Sequence, residues 1–206
     1  MQSTVSEHAA SSAAAQTCAD CHMPVTLTRP GERPHRDHRF RASRDPEFLR
    51  RALTVSAQRG PGVVRFTLRS QGVGHAFPTG DLFRRLEVGV EVVADDYRVL
   101  QRSTALLTRH FKPDGAGSFV HRALLRDTRI GPTALPGAGG DHGPVGERQV
   151  ELPVTAPGPD ARGIAWWVSY QRVAFPRAGD QAAEIEADII LASGLLPLGE
   201  QISDTP

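Results

Sequence analysis

Leu86-Glu87-Val88-Gly89-Val90-Glu91-Val92 carries an apolar residue at every second position, with Glu87, Gly89 and Glu91 between them. Side chains on a strand alternate between faces, so this run has one face for a core and one for water. The same period recurs on either side. Val64, Phe66 and Leu68 alternate upstream. Downstream come Val150, Leu152 and Val154, then Ile164, Trp166, Val168 and Tyr170, then Ile185, Ala187, Ile189 and Leu191. Thr104–His110 and Phe119–Leu125 are weaker strand candidates, and Asp95-Asp96 and Pro113-Asp114-Gly115 mark turns. About seven short alternating strands in about 140 residues predict a mainly β chain, an antiparallel β-sandwich of immunoglobulin-like type. It has no cysteine pair to bridge its sheets, since Cys18 and Cys21 both precede the strands.

Before the strands the pattern is helical or irregular. In Asp45-Pro46-Glu47-Phe48-Leu49-Arg50-Arg51-Ala52-Leu53, Asp45 is the expected N-cap and Pro46 the first helical residue. Phe48, Leu49, Ala52 and Leu53 form the expected buried stripe. Residues 6–17 are Ala- and Ser-rich, with Ser6 as the expected cap of a short helix. Too little apolar surface lies in residues 1–45 to order them alone, so they are expected to need a cofactor or partner. Gly131–Gly146 reads as a long loop and Pro197–Pro206 as a frayed tail. The expected division is a cofactor-binding segment at 1–45, a short helix plus sandwich at 46–196, and a tail at 197–206.

The net charge of +1 over 206 residues gives no electrostatic footprint for nucleic acid or an anionic membrane. No apolar run reaches transmembrane length.

Cys18-Ala19-Asp20-Cys21-His22 has the C-x-x-C-H spacing of a c-type haem attachment site. Two thiols two residues apart can form thioethers to the two vinyl groups of one haem, and His22 then lies under the iron as proximal ligand. A thioredoxin-like redox pair requires a βαβ context that does not follow. A lone disulfide or two free thiols is a further bland reading. Cys18, Cys21, His35 and His38 also approximate a Cys2His2 zinc spacing. A finger needs a helix carrying its first histidine, and Pro30, Gly31 and Pro34 interrupt that stretch. One covalent haem c is therefore the expected cofactor. Haem c is attached after export, while residues 1–17 have neither a basic nor an apolar leader region. The expectation is a periplasmic or extracytoplasmic protein in which Met1 is an internal or mis-called start or the chain is the tail of a longer exported protein; the alternative is a cytosolic chain with an unloaded motif.

Gly72-Val73-Gly74-His75-Ala76-Phe77-Pro78-Thr79-Gly80 interrupts the strands with three glycines and a proline around one imidazole. The glycines are expected to let the backbone approach a haem face, and Pro78 to limit the loop's swing. A methionine distal ligand is excluded by inventory, because Met23 adjoins His22 and Met1 is the terminus. His75 is the first candidate for the sixth iron position and His38 the second. His35 reads as solvated, and His8 as a ligand for this haem or a neighbouring one. His110, His121 and His142 read as ordinary surface or turn histidines. Arg84 and Arg85 are candidates for haem propionates, against the alternative of two solvated arginines.

Thr17-Cys18-Ala19-Asp20-Cys21-His22-Met23-Pro24, then Asp37-His38-Arg39-Phe40, then Gly74-His75-Ala76-Phe77-Pro78-Thr79-Gly80 with Arg84-Arg85, resembles the C-terminal part of multihaem c-type cytochromes. Asp127-Thr128-Arg129 is similar to that pattern as well. The resemblance implies extracytoplasmic electron transfer through bis-His haem, with other cytochromes as redox partners. This chain carries one haem motif. The leading function is electron transfer by a c-type cytochrome. The alternatives are a haem enzyme or gas sensor with an open sixth site, and a sandwich interaction module, including one holding Cys2His2 zinc. There is no nucleophile–base pair, phosphate loop or paired-carboxylate motif to carry another chemistry.

Overall fold

The computed structural model describes residues 4–26, 31, 33–39, 41–80, 83–111, 124–132, 146–155, 158–174 and 183–198. Three short helices, α1 (Thr4–Ala9), α2 (Cys18–His22) and α3 (Pro46–Arg51), precede most of the sheet. A two-stranded ribbon of β1 (Val25–Thr26) and β2 (His35–Arg36) lies between α2 and α3. The sandwich is built from β3 (Leu53–Gly60), β4 (Val63–Ser70), β5 (Arg84–Ala94), β6 (Val99–Leu107), β9 (Glu147–Pro153), β10 (Ala161–Val173) and β11 (Ile185–Pro197). A second ribbon pairs β7 (Arg109–Phe111) with β8 (Leu124–Asp127).

Strands run β3-β4-β9 in one sheet and β11-β10-β5-β6 in the other, and every pairing is antiparallel. The first, second and fifth strands of the sandwich thus share one sheet, and the third, fourth, sixth and seventh share the other. The result is an antiparallel sandwich of the immunoglobulin-like class that the alternation predicts. Val64, Phe66, Leu68, Leu86, Val88, Ile164 and Val168 are wholly buried where the two inner faces meet. Phe66 of one sheet meets Trp166 of the other edge to face, with ring centres 6.0 Å apart.

Strand β3 is the element the periodicity left unnamed. Leu53, Val55 and Ala57 point inward, but Thr54, Ser56, Gln58 and Arg59 are exposed on an edge strand, and small inward residues make its alternation faint. Leu53 consequently belongs to β3 and not to the helix stripe. Helix α3 starts as expected: Asp45 accepts the Phe48 amide at 3.0 Å, with Pro46 at the first helical position. Helix α1 begins at Thr4, so Ser6 lies within it and does not cap it.

Thr104–His110 resolves into the end of β6 and the start of β7. Of the Phe119–Leu125 candidate, Leu124 and Leu125 belong to β8 and the rest lies outside the described residues. The Pro113-Asp114-Gly115 turn, most of the Gly131–Gly146 loop, residues 199–206, Phe40, His121 and His142 also lie outside them. Among the described residues no helix is long and apolar enough to cross a membrane.

Candidate haem-binding site

Helix α2 turns the Cys18–His22 motif into one helical turn. Thr17 caps it: the Thr17 hydroxyl accepts the Asp20 amide at 3.3 Å, and Asp20 Oδ2 accepts the Thr17 amide at 2.7 Å. The far end is closed by Arg36 of β2. Its guanidinium donates to the carbonyls of Ala19 (2.9 Å) and Met23 (3.1 Å) and pairs with Asp20 at 2.6 Å. The Thr17 amide, followed by Arg36, holds the Asp20 carboxyl down at about 2. Both cysteines are unbridged. Cys18 is exposed, and the half-buried Cys21 donates its thiol to Gln16 Oε1 at 3.4 Å.

His22 is tied to Arg41 twice. The Arg41 amide donates to the His22 carbonyl at 2.8 Å, and His22 Nδ1 hydrogen-bonds the Arg41 carbonyl. A carbonyl accepts, so Nδ1 carries the proton and Nε2 the lone pair. Phe48 of α3 packs against the ring at 5.3 Å between centres.

His75 lies in the connection between β4 and β5. Its Nδ1 donates to the Ala76 carbonyl at 3.1 Å, which again directs the lone pair to Nε2. Burial lowers its pKa below the ordinary imidazole value, with the nearby His22 adding to the effect, so the ring is neutral in neutral solution. Two positive-φ glycines, Gly72 at +60° and Gly80 at +102°, bracket the loop. Between them Phe77 exchanges two backbone hydrogen bonds with Ile130, at 2.8 and 2.9 Å. The His22 and His75 rings are neighbours across the site. Their centres are 6.1 Å apart and their planes lie within 5° of parallel.

The chain shares its fold with a haem protein. It superimposes on the crystal structure of a penta-haem cytochrome c552 from Thermochromatium tepidum with a TM-score of 0.61 and 17% sequence identity. The match covers 94% of this chain and 50% of that one, so the chain spans about half the length of that cytochrome. No protein-family model matches the sequence, and no curated protein does.

The other candidate ligands are arranged differently. His38 is exposed in a turn beside Asp37, and that turn is fixed by Asp37 with Arg39. Arg39 holds the Asp37 carboxyl well below its usual range. His35 is exposed on β2, opposite Thr26. Cys18, Cys21, His35 and His38 do not converge: among the described residues no three His, Cys, Asp or Glu side chains gather as a zinc site requires. His8 packs against Gly74. His110 is half-buried on β7 and bonded to Thr128 at 2.9 Å, which corrects its reading as a surface histidine.

The two arginines diverge. Arg85 is buried, with Nε donating to Gln171 at 2.7 Å across β5–β10. Arg84 donates to the Tyr170 hydroxyl at 3.1 Å and packs over Gly80, at the end of the His75 loop.

Gly74 lies under the N-terminal segment. A Cβ there would lie 2.8 Å from His8 Cδ2 and 2.9 Å from Ala13 Cβ. The absent side chain makes room for the N-terminal segment. That segment is anchored by Glu7, which the sequence did not single out. Glu7 binds the Ala76 amide at 3.0 Å and Arg129 at 2.7 Å. Nothing in an Ala/Ser-rich stretch signals such a role. In the sequence, Arg129 stands out only through the resemblance carried by Asp127-Thr128-Arg129.

Proposed function

We propose that the chain is a c-type cytochrome electron carrier with one covalent haem, attached at Cys18 and Cys21 and ligated by His22 and His75. The observation that carries this is the parallel imidazole pair. A metal–imidazole nitrogen bond is about 2.0 Å and the nitrogen lies about 1.1 Å from its ring centre, so two imidazoles trans on one metal have centres about 6.2 Å apart. The centre spacing of 6.1 Å matches that distance, and one iron would hold both rings with each Nε2 on the line between the centres. Both rings also set Nδ1 against a carbonyl, which favours the Nδ1–H tautomer with its lone pair on Nε2. A haem iron asks for at most two side-chain ligands, so the absence of a three-residue metal cluster among the described residues is compatible with it.

Haem bound here supplies a one-electron couple. The chain's residues do the rest. Helix α2 presents two thiols and an imidazole on one turn, and each thiol adds its S–H across a vinyl group. Arg41 and Phe48 fix the His22 ring. The buried loop keeps His75 neutral. Arg84, beside that loop, is the better placed of the two arginines for a propionate, while Arg85 is engaged with Gln171. Two imidazoles leave no position for substrate, which favours electron transfer over an open-site enzyme or gas sensor. The fold shared with half of a penta-haem cytochrome supports redox proteins, other cytochromes among them, as partners, an extracytoplasmic location, and membership of a longer multihaem chain.

The test is expression with an export signal and a haem-maturation system. Haem should resist acidic acetone, and the ferric iron should be low-spin by electron paramagnetic resonance. His75→Ala should turn it high-spin, and His38→Ala should leave it low-spin. Freely extracted haem, or a low-spin signal that survives His75→Ala and vanishes in His38→Ala, overturns the assignment.

A further inference from the structure

We infer that Glu7 is a positioning residue for His75, acting through Ala76; this rests on the reading of His75 as an iron ligand. Glu7 is the only carboxylate among residues 4–17. Its two oxygens have separate tasks. Oε2 accepts the Ala76 amide at 3.0 Å. Oε1 accepts from Arg129 at 2.7 Å, and Arg109 stands 3.6 Å away. Arg129 is itself held by both oxygens of Asp127 and reaches the Pro78 carbonyl at 3.4 Å. The backbone is thus fixed at 76 by Glu7, at 77 by the bridge to Ile130, and at 78 by Arg129. His75 is the residue immediately before this clamp. Its ring donates to the carbonyl of Ala76, whose amide Glu7 holds. Fixing Ala76 fixes the acceptor that selects the Nδ1–H tautomer and aims Nε2.

Among the described residues, two carboxylates, Glu7 and Asp127, meet two guanidiniums, Arg109 and Arg129, and these four charges balance. The cluster orients the loop through these contacts. The bland alternative is that Glu7 merely fastens α1 to the loop. A fastener lowers stability and leaves the imidazole alone; a positioning residue alters the tautomer and the grip on iron.

Two measurements separate these. In the unloaded, 15N-histidine-labelled chain, two-bond 1H–15N spectra should show one Nδ1–H tautomer for His75. Glu7→Ala should give a mixture of tautomers. In the loaded ferric protein, Glu7→Ala should bind cyanide roughly tenfold more tightly than wild type, the worth of one hydrogen bond to a charged group. Glu7→Gln, which keeps an acceptor oxygen, should fall between the two. An unchanged tautomer with unchanged cyanide affinity overturns the role, even with a lowered melting temperature. If Glu7→Ala does not fold, Glu7→Gln decides by the same criteria. If the wild-type iron is high-spin, the ligand reading of His75 fails, and the tautomer measurement in the unloaded chain still judges what Glu7 does to the ring.

Discussion

Gly74 shows how one missing side chain joins two parts of the molecule. Its backbone needs no left-handed conformation; what matters is the space above it, filled by His8 and Ala13. Gly74→Ala should therefore displace the N-terminal segment and cost about 1–3 kcal/mol, as overpacking does. Urea unfolding should show the loss, and hydrogen exchange should show it concentrated in residues 8–13. His110 carries a different signal. Burial, with Arg126 adding to it, lowers its pKa. The unfolded chain then binds a proton at a higher pH than the folded one. Its contribution is intact above the ordinary imidazole value of about 6.5 and is lost as pH falls below it. His110→Gln should flatten the decline in urea midpoint between about pH 7.5 and about pH 5.5. An unchanged slope would refute that role.

Among the elements, α2 and β10 depend on local devices that can be removed singly. Thr17 and Asp20 cap a helix of five residues that has no buried side chain of its own. Thr17→Ala should cost about 1 kcal/mol, read as a lower urea midpoint, with the sandwich signal unchanged. In β10 each tryptophan lies on a glycine of a neighbouring strand. Trp167 pairs with Gly89 of β5 and Trp166 with Gly194 of β11. A Cβ on Gly89 would come 2.1 Å from the Trp167 ring. Gly89→Ala should expel that ring, red-shift the tryptophan emission and destabilise by about 1–3 kcal/mol. The alternation made β4, β5, β9, β10 and β11 legible; in β4 and β5 the inward residues Val64, Phe66, Leu68, Leu86, Val88 and Val90 are large and apolar and most of those between them are polar. Strand β3 was not legible, since an edge strand with Val55 and Ala57 inside needs little contrast to pack.

At the scale of the molecule the sandwich buries its own faces. Residues 46–206 alone should keep the strand signal in circular dichroism and unfold cooperatively, while the full chain, with the Glu7–Arg129 ion pair, should melt at a higher temperature. Loss of the strand signal in the shorter chain would show that the N-terminal segment is part of one fold. What the sequence by itself determined is local: period-two runs that must form half-buried strands, the Asp45-Pro46 helix start, and a C-x-x-C-H turn that puts two thiols and an imidazole together. It also ranks His75 first, for the Gly- and Pro-bounded loop that holds its imidazole, and His38 second, for a contour length that can round a haem. Tertiary structure places the two differently. It brought the His75 ring parallel to His22 and left His38 exposed in a turn. The partition of seven strands into two sheets, and the Glu7 clamp linking residues 69 and 122 positions apart, were likewise invisible. Such contacts depend on which surfaces meet after collapse, and no local pattern of side chains encodes that.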